Sequence, residues 1–191
     1  MAGPSRHGRS PLASCDVRVF DEDGTELATG ESGEVIVRAK ATTDFTYQGN
    51  AEARVEVERD GLITCGDVGF LDEDGFLYLC DRVRDMIISG GVNIYPIEIE
   101  ACLLKLPGVA DCAVFGIPDS EYGESIAAAI KLEPEVALTA GEIQAHVREH
   151  LASFKVPKVV TFHESLPRED SGKMFKRKLR APYWEQAGRT I

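Results

Sequence analysis

Residues 81–100 read DRVRDMIISGGVNIYPIEIE and contain most of the local structural signals in this chain. A charged turn leads into a short apolar strand, a Ser-Gly-Gly loop follows, and a helix begins at Pro96. Proline at the first helical position removes no backbone donor that the helix needs. Glu98 and Glu100 in the first turn suit the positive end of the helix dipole. The stretch therefore predicts a strand, a loop and the start of a helix.

The loop in this stretch contains two adjacent glycines, Gly90 and Gly91. Glycine has no side chain and tolerates positive φ, so the pair permits either a close approach of a ligand or a reversal of the backbone. In the helix that follows, Ile97, Ala101 and Leu104 recur at helical spacing. We therefore expect this face of the helix to pack against the rest of the protein.

The composition fits one domain or two small ones, with 191 residues of which 43% are hydrophobic. A net charge of -11 argues against a general affinity for nucleic acid or for anionic membranes. The charge is uneven, because residues 151–180 contain eight basic and three acidic side chains. Such a basic end predicts an anionic ligand there. A nucleic-acid site at 173–180 is disfavoured, since Phe175 is its only aromatic residue.

The cysteines and histidines give no metal or disulfide pattern by spacing. Five scattered cysteines without a C-x-x-C pair indicate reduced thiols of a cytoplasmic protein. His146 and His150 are four residues apart on a predicted helix, a spacing that could chelate a metal, but we expect a solvated helix face and no metal site. The chain has no apolar stretch as long as a membrane span, and its start does not resemble a signal peptide.

The periodicity changes along the chain. Alternating valines and two acidic Asp-Glu-Asp-Gly turns predict an all-β first part of about eighty residues. The second part alternates helices with apolar strands, which predicts an α+β fold with a small sheet covered by helices. Thr139 and Glu142 form a capping-box pattern before one helix, and the last helix is expected to begin near Lys173.

Three strings in this order resemble one known family. Residues 81–100 resemble the segment that joins the large and small domains of the adenylate-forming enzymes, a family of acyl-CoA synthetases, luciferases and peptide-synthetase adenylation domains. CGDVG at 65–69 and PREDSGK at 167–173 resemble two further motifs of the same family. The terminal Pro-Tyr-Trp-Glu at 182–185 is similar to the tails of bacterial fatty-acid and aryl-acid CoA ligases.

The resemblance implies the C-terminal portion of such an enzyme. Its fold would be a three-stranded sheet flanked by helices, preceded by a partial barrel from the end of the large N-terminal domain. The phosphate-binding loop and the acid pocket of the family have no counterpart in this chain, so we expect the chain alone to be inactive. The implied organisation is a disordered start at 1–10, the β-rich end of the large domain at 11–81, a hinge at 82–85, a mobile α+β domain at 86–180 and a tail at 181–191.

The resemblance also implies roles for individual residues. Lys173 matches the lysine that stabilises charge on the α-phosphate during adenylation, a role that suits a compact ammonium group. Asp67 matches the aspartate that accepts hydrogen bonds from the ribose hydroxyls of ATP or AMP, and Arg82 matches an arginine that contacts the nucleotide. Without the resemblance, an exposed lysine, a turn aspartate and a surface ion pair would be the simpler interpretations.

The implied second half-reaction uses another face. Ser89, Gly90 and Gly91 match the residues that line the channel for the pantetheine arm of CoA, and Arg84 stands at the hinge about which the small domain swings. ATP and CoA are the implied cosubstrates, and Mg²⁺ is expected with ATP through ligands outside this chain. Cys65 departs from the usual threonine, although it removes no charged group.

The resemblance thus implies part of an AMP-forming acid–CoA ligase for a fatty or aryl acid. Two alternatives remain open. One is an adenylation domain with a different acceptor. The other is a non-catalytic small domain, truncated or complementing a partner, whose barrel faces a separate large domain would cover.

Overall fold

The computed structural model describes residues 15–21, 23–39, 48–49, 52–59 and 61–188. The expected disordered start at 1–10 lies outside these residues. The chain forms two compact units, residues 1–84 and 85–191. No helix among the described residues is both long enough and apolar enough to cross a membrane.

The first unit is built on an antiparallel sheet. Its central strand pairs with three others, and the burial of Val35, Ile36 and Val68 gives the sheet an apolar core. The elements are β1 (Cys15–Phe20), β2 (Gly33–Ala39), α1 (Glu52–Glu56), β3 (Glu58–Arg59), β4 (Leu62–Leu71) and β5 (Leu77–Arg82). Strand β4 pairs with β2, β3 and β5, and β1 pairs with β2. This arrangement confirms the predicted β-rich first part.

The second unit is a mixed sheet with three α-helices. A 3₁₀ turn at Val83–Asp85 precedes it. The elements are β6 (Ile87–Ser89), β7 (Val92–Ile94), α2 (Pro96–Leu103), β8 (Val109–Asp119), β9 (Gly123–Leu132), α3 (Ala140–His150), β10 (Val159–Phe162) and α4 (Lys176–Gln186). Strands β8, β9 and β10 form the three-stranded body of the sheet, and the β6–β7 hairpin joins it through a single pairing of Ser89 with Gly123. The predicted α+β class is confirmed.

Strands β8 and β9 are buried on both faces. Side chains on one face join a core with α2 and α3, whereas Ala113, Phe115, Ala127 and Ala129 on the other face join a second core with Leu166 and residues of α4. Successive residues of a strand point to opposite faces, so a strand between two cores must be apolar throughout. This explains the continuous apolar runs of both strands.

Helix α3 begins directly after Thr139, as predicted. The hydroxyl of Thr139 accepts a hydrogen bond from the N–H of Glu142 at 3.3 Å, and the Glu142 carboxylate accepts one from the Thr139 N–H at 2.8 Å. These two bonds form the predicted capping box, which satisfies two backbone donors that the helix leaves unpaired. Ile143 and Val147 are fully buried on its inner face.

Helix α4 begins at Lys176 and not near Lys173 as predicted. The chain before it closes a tight turn, in which the N–H of Glu169 donates to the carbonyl of Lys173 at 2.9 Å and the N–H of Gly172 donates to the carbonyl of Glu169 at 2.8 Å. Gly172 has a φ of 82°, which a helix does not permit. The helix continues through Pro182 to Gln186.

The packed face of α2 differs from the predicted one. Ile97 and Leu104 are 46% and 52% exposed, whereas Ile99 and Leu103 are fully buried. The helix is apolar around much of its circumference, so apolar residues recur at helical spacing on two of its faces. The core against β8 and α3 uses the face that contains Ile99, Cys102 and Leu103.

This correction yields a test with two adjacent leucines. We expect Leu103→Ala to lower the free energy of unfolding of the second unit by about 2–5 kcal/mol, because it removes buried methyl groups and leaves a cavity. Leu104→Ala should change it by about 0.5 kcal/mol or less, because that side chain is already in solvent. Urea unfolding followed by the fluorescence of Trp184, the only tryptophan, measures both. Equal losses for the two variants would contradict the assigned face.

Candidate functional site

Asp67 and Arg82 lie side by side in the first unit. They are directly opposite in the β4–β5 pair, and the Nε atom of Arg82 is 3.3 Å from an Oδ atom of Asp67. The Asp67 side chain is 25% exposed and the Arg82 side chain 45%. An ion pair this exposed adds little to stability. Both side chains therefore remain accessible to a ligand.

The backbone before Asp67 is held by side-chain hydrogen bonds. The hydroxyl of Thr64 accepts from the N–H of Gly66 at 3.0 Å and donates to the Glu34 carboxylate at 2.5 Å. Gly66 has a φ of 69°, and the β4–β5 register shifts at Val68. Cys65, the position where the family has threonine, is exposed. The side-chain hydrogen bonds at this irregular point of the strand thus come from Thr64 and not from Cys65.

Gly90 and Gly91 form the two-residue turn of the β6–β7 hairpin. Their φ values are 58° and 79°, and positive φ at both positions is what a type I′ turn requires. The N–H of Gly90 donates to the carbonyl of Tyr122 at 2.9 Å, which ties this turn to the loop between β8 and β9. Of the two interpretations of the glycine pair, the backbone reversal is therefore realised.

A cleft of about 680 Å³ lies beside this turn, within the second unit. Its walls come from the β6–β7 turn, the β8–β9 loop, α3 and the chain around the 3₁₀ turn at Ser153–Lys155. The lining residues are Ser89, Gly90, Val92, Asp119, Tyr122, Ser125, Ile126, Gln144, Arg148, Ser153, Phe154, Val156, Pro157 and Lys158. Two exposed aromatic rings and two cations give this cleft both apolar surface and positive charge.

An ion pair orders one end of the cleft. The Nζ atom of Lys158 is 2.7 Å from an Oδ atom of Asp119, whose other oxygen accepts from the N–H groups of Glu121 and Tyr122 at 3.0 and 3.2 Å. The hydrogen bond from Lys158 and these two backbone bonds lower the pKa of Asp119 to about 2, and the same pair raises the pKa of Lys158. Arg148 has no ion pair within the described part of the chain.

Lys173 is exposed on the turn before α4. Its side chain has no hydrogen bond or ion pair to any of the residues that the structure describes. Lys176 differs, because its Nζ atom is 2.9 Å from the Glu100 carboxylate and both side chains are less than one-fifth exposed. The basic end of the chain therefore combines a structural lysine at 176 with a lysine at 173 that is open to a ligand.

The predicted site residues form separate groups. Asp67 and Arg82 belong to the first unit, and Arg84 lies exposed in the 3₁₀ turn that ends it. The Ser89–Gly91 turn and Lys173 belong to the second unit. Sequence reasoning missed the rest of the cleft, because its walls come from four segments distant in sequence. The excess of basic residues at 151–180, which includes Lys158, was the one available signal.

Comparisons with known proteins agree with these motifs. Residues 98–173 match the family described as the AMP-binding enzyme C-terminal domain. A feruloyl-CoA synthase from Amycolatopsis is 42% identical over 170 residues, which are 89% of this chain and 34% of that protein. A long-chain-fatty-acid–CoA ligase from Mycobacterium tuberculosis is 40% identical over 176 residues, which are 92% of this chain and 34% of that protein.

A solved structure extends the comparison to the fold. The ATP-bound MatB from Rhodopseudomonas palustris superposes with a TM-score of 0.85 and 34% identity, over 91% of this chain and 35% of that chain. The chain therefore spans about a third of the length of the curated relatives that it matches.

The Asp119–Lys158 ion pair predicts how the stability of the fold depends on pH. Because the folded pKa of Asp119 is below the ordinary value of 3.8, its ionisation stabilises the fold above about pH 4, and this contribution is lost as the pH falls through about 2. In Lys158→Met the pKa of Asp119 should rise toward 3.8 but remain below it, because the hydrogen bonds from the two backbone N–H groups to its carboxylate remain. A carboxyl NMR titration measures the pKa, and Lys178→Met serves as the control. An unchanged pKa in Lys158→Met would contradict the assigned cause.

Proposed function

Because the chain belongs, through residues 98–173, to the family of AMP-binding enzymes, we propose that it acts as the C-terminal part of an AMP-forming acid–CoA ligase. The substrate would be a carboxylic acid of the fatty or aryl class. The ligase would first join the acid to the α-phosphate of ATP, with release of pyrophosphate, and then transfer the acyl group to the CoA thiol, with release of AMP. The exposed Lys173 on a tight turn is the observation that supports this proposal most directly.

Lys173 is the catalytic residue of the proposed adenylation step. Negative charge increases on the phosphoryl oxygens as the carboxylate attacks, and an ammonium close to those oxygens stabilises the transition state more than the ground state. The turn at 169–173 fixes the backbone of Lys173, while its side chain has no competing partner among the described residues. Lys173 is therefore available to an anion without first breaking an ion pair.

Asp67 and Arg82 would hold the nucleotide in the first unit. One oxygen of Asp67 contacts Arg82, and the other has no hydrogen bond to the residues described. A carboxylate oxygen in this position accepts hydrogen bonds from ribose hydroxyls, and the guanidinium fixes the orientation of the carboxylate. Arg84, two residues after Arg82, would be the hinge position. Mg²⁺ would accompany ATP through ligands outside this chain.

The cleft beside Ser89 and Gly90 would accept CoA in the second step. Glycine at position 90 keeps one wall free of side chains, and this suits a thin pantetheine arm. Arg148 and Lys158 on the walls suit the phosphates at the other end of CoA.

The five free cysteines are consistent with a reducing, cytoplasmic location.

The first step can be tested in a chimera that carries residues 11–191 in place of the matching third of the Amycolatopsis feruloyl-CoA synthase. With ferulate and ATP, Lys173→Ala should lower the rate of adenylate formation about 100- to 1000-fold, because it removes a preorganised charge at the reacting phosphate. Lys178→Ala, also an exposed lysine, is the matched control and should leave the rate unchanged. Pyrophosphate release measures both, and a normal rate in Lys173→Ala would refute its assignment.

The second step can be separated from the first in the same chimera. We expect Gly90→Leu to lower the transfer of the acyl group from preformed feruloyl-AMP to CoA by about 10-fold or more, because the new side chain narrows the cleft. Adenylate formation should remain, which also shows that the protein is folded.

A control for backbone strain is available at Gly24. It has a φ of 81° in a turn of the first unit, so Gly24→Leu imposes similar backbone strain away from the cleft, without the contact with the Tyr122 ring that a side chain at position 90 makes. Equal losses in both steps for Gly90→Leu, or a loss of transfer in Gly24→Leu, would argue against the proposed CoA route.

A further inference from the structure

Three metal-binding side chains meet where α2 packs on α3. His146 and His150 come from α3, and the fold adds Cys102 from α2, more than forty residues earlier in the chain. One ligand atom from each residue lies within 4.8 Å of the other two. The sequence showed only the histidine pair, since the third member is distant in sequence.

Hydrogen bonds fix the orientation of both imidazole rings. The Nε2 atom of His146 lies 3.1 Å from the carbonyl oxygen of Cys102, and the Nδ1 atom of His150 lies 2.8 Å from the carbonyl oxygen of His146. A carbonyl oxygen only accepts, so these two nitrogens bear the protons. The opposite nitrogens, Nδ1 of His146 and Nε2 of His150, therefore keep their lone pairs. Metal-bound histidines usually donate their other N–H to a backbone carbonyl or carboxylate in this way.

The thiol of Cys102 provides the inner ligand. The residue is 7% exposed, and burial raises the pKa of its thiol, opposed in part by Lys105. Without a metal the sulfur is therefore protonated near neutral pH. Metal binding would break the S–H bond, form a metal–sulfur bond and release the proton to solvent.

The geometry of the cluster suits a tetrahedral ion with one open position. Zinc–sulfur and zinc–nitrogen bonds of about 2.3 and 2.0 Å place tetrahedral ligands about 3.5 Å apart. The three ligand atoms here lie up to 4.8 Å apart, so binding would draw them closer by up to about 1.3 Å. His150 is exposed and His146 half-buried, so an ion can reach the buried sulfur from solvent through the histidines. Two imidazoles and a thiolate favour Zn²⁺ over Mg²⁺ or Ca²⁺.

We propose that Cys102, His146 and His150 bind a single Zn²⁺ ion that connects α2 to α3, with solvent in the fourth position. The ion would lie apart from the cleft, because His146 and His150 are on the opposite side of α3 from Gln144 and Arg148.

Cobalt is the probe for this site, because a thiolate bound to Co²⁺ gives a near-ultraviolet charge-transfer absorption that imidazole ligands alone do not give. The untagged 191-residue chain, treated with a chelator and then titrated with Co²⁺, should develop this absorption at one equivalent and lose it when Zn²⁺ is added. Cys102→Ser should abolish the absorption. Cys65→Ser, which changes an exposed cysteine of the first unit, should retain it.

The histidine variants complete the test and do not depend on the folding of a core variant. His150 is exposed, so His150→Gln should fold normally and bind Co²⁺ at least about 10-fold more weakly. His163→Gln, at another exposed histidine, is the matched control and should bind normally. No charge-transfer absorption in the unsubstituted chain, or equal affinity in His150→Gln and His163→Gln, would overturn the proposal.

Discussion

The second unit depends on strand β9, whose central residues are buried on both faces. It pairs with β8 along its whole length, and its residues 126–130 alternate between the two cores. Three consecutive alanines at 127–129 leave space for larger partners on both faces, namely Val114 and Phe115 from β8. A bulkier run would separate the sheet from its helices, because interiors pack at near-crystalline density.

The position of one wall of the cleft is set by the first residues of β9. Gly123, its first residue, makes the single pairing that attaches the β6–β7 hairpin to the sheet. The N–H of Gly90 then bonds to the carbonyl of Tyr122, so one wall of the cleft is fixed by backbone bonds to the start of β9. The same loop provides the backbone donors that hold the Asp119 carboxylate.

Local signals predicted the elements whose ends are set by their own residues. The start of α2 at Pro96 and the capping of α3 by Thr139 and Glu142 were predicted correctly. In both cases the side chain acts on backbone groups only a few positions away. The prediction of the packed face of α2 was wrong. Exposed Leu104 and buried Leu103 are equally apolar, and only the packing of β8 and α3 against the helix decides which of them is buried. The cleft walls and the third member of the Cys-His-His cluster lay beyond sequence reasoning for the same reason.

The start of α4 shows how a largely buried ion pair can keep a neighbouring lysine available. The Glu100 carboxylate accepts from the N–H of Val114 at 2.8 Å and pairs with Lys176, so one side chain joins α2, β8 and α4. Removing either partner would leave a desolvated charge, which costs far more than an exposed pair gains. Trp184 anchors the far end of α4 through a bond from its indole N–H to the carbonyl of Gly116 at 3.1 Å. With both ends of the helix held, the turn before it extends into solvent and presents Lys173 without a structural duty of its own.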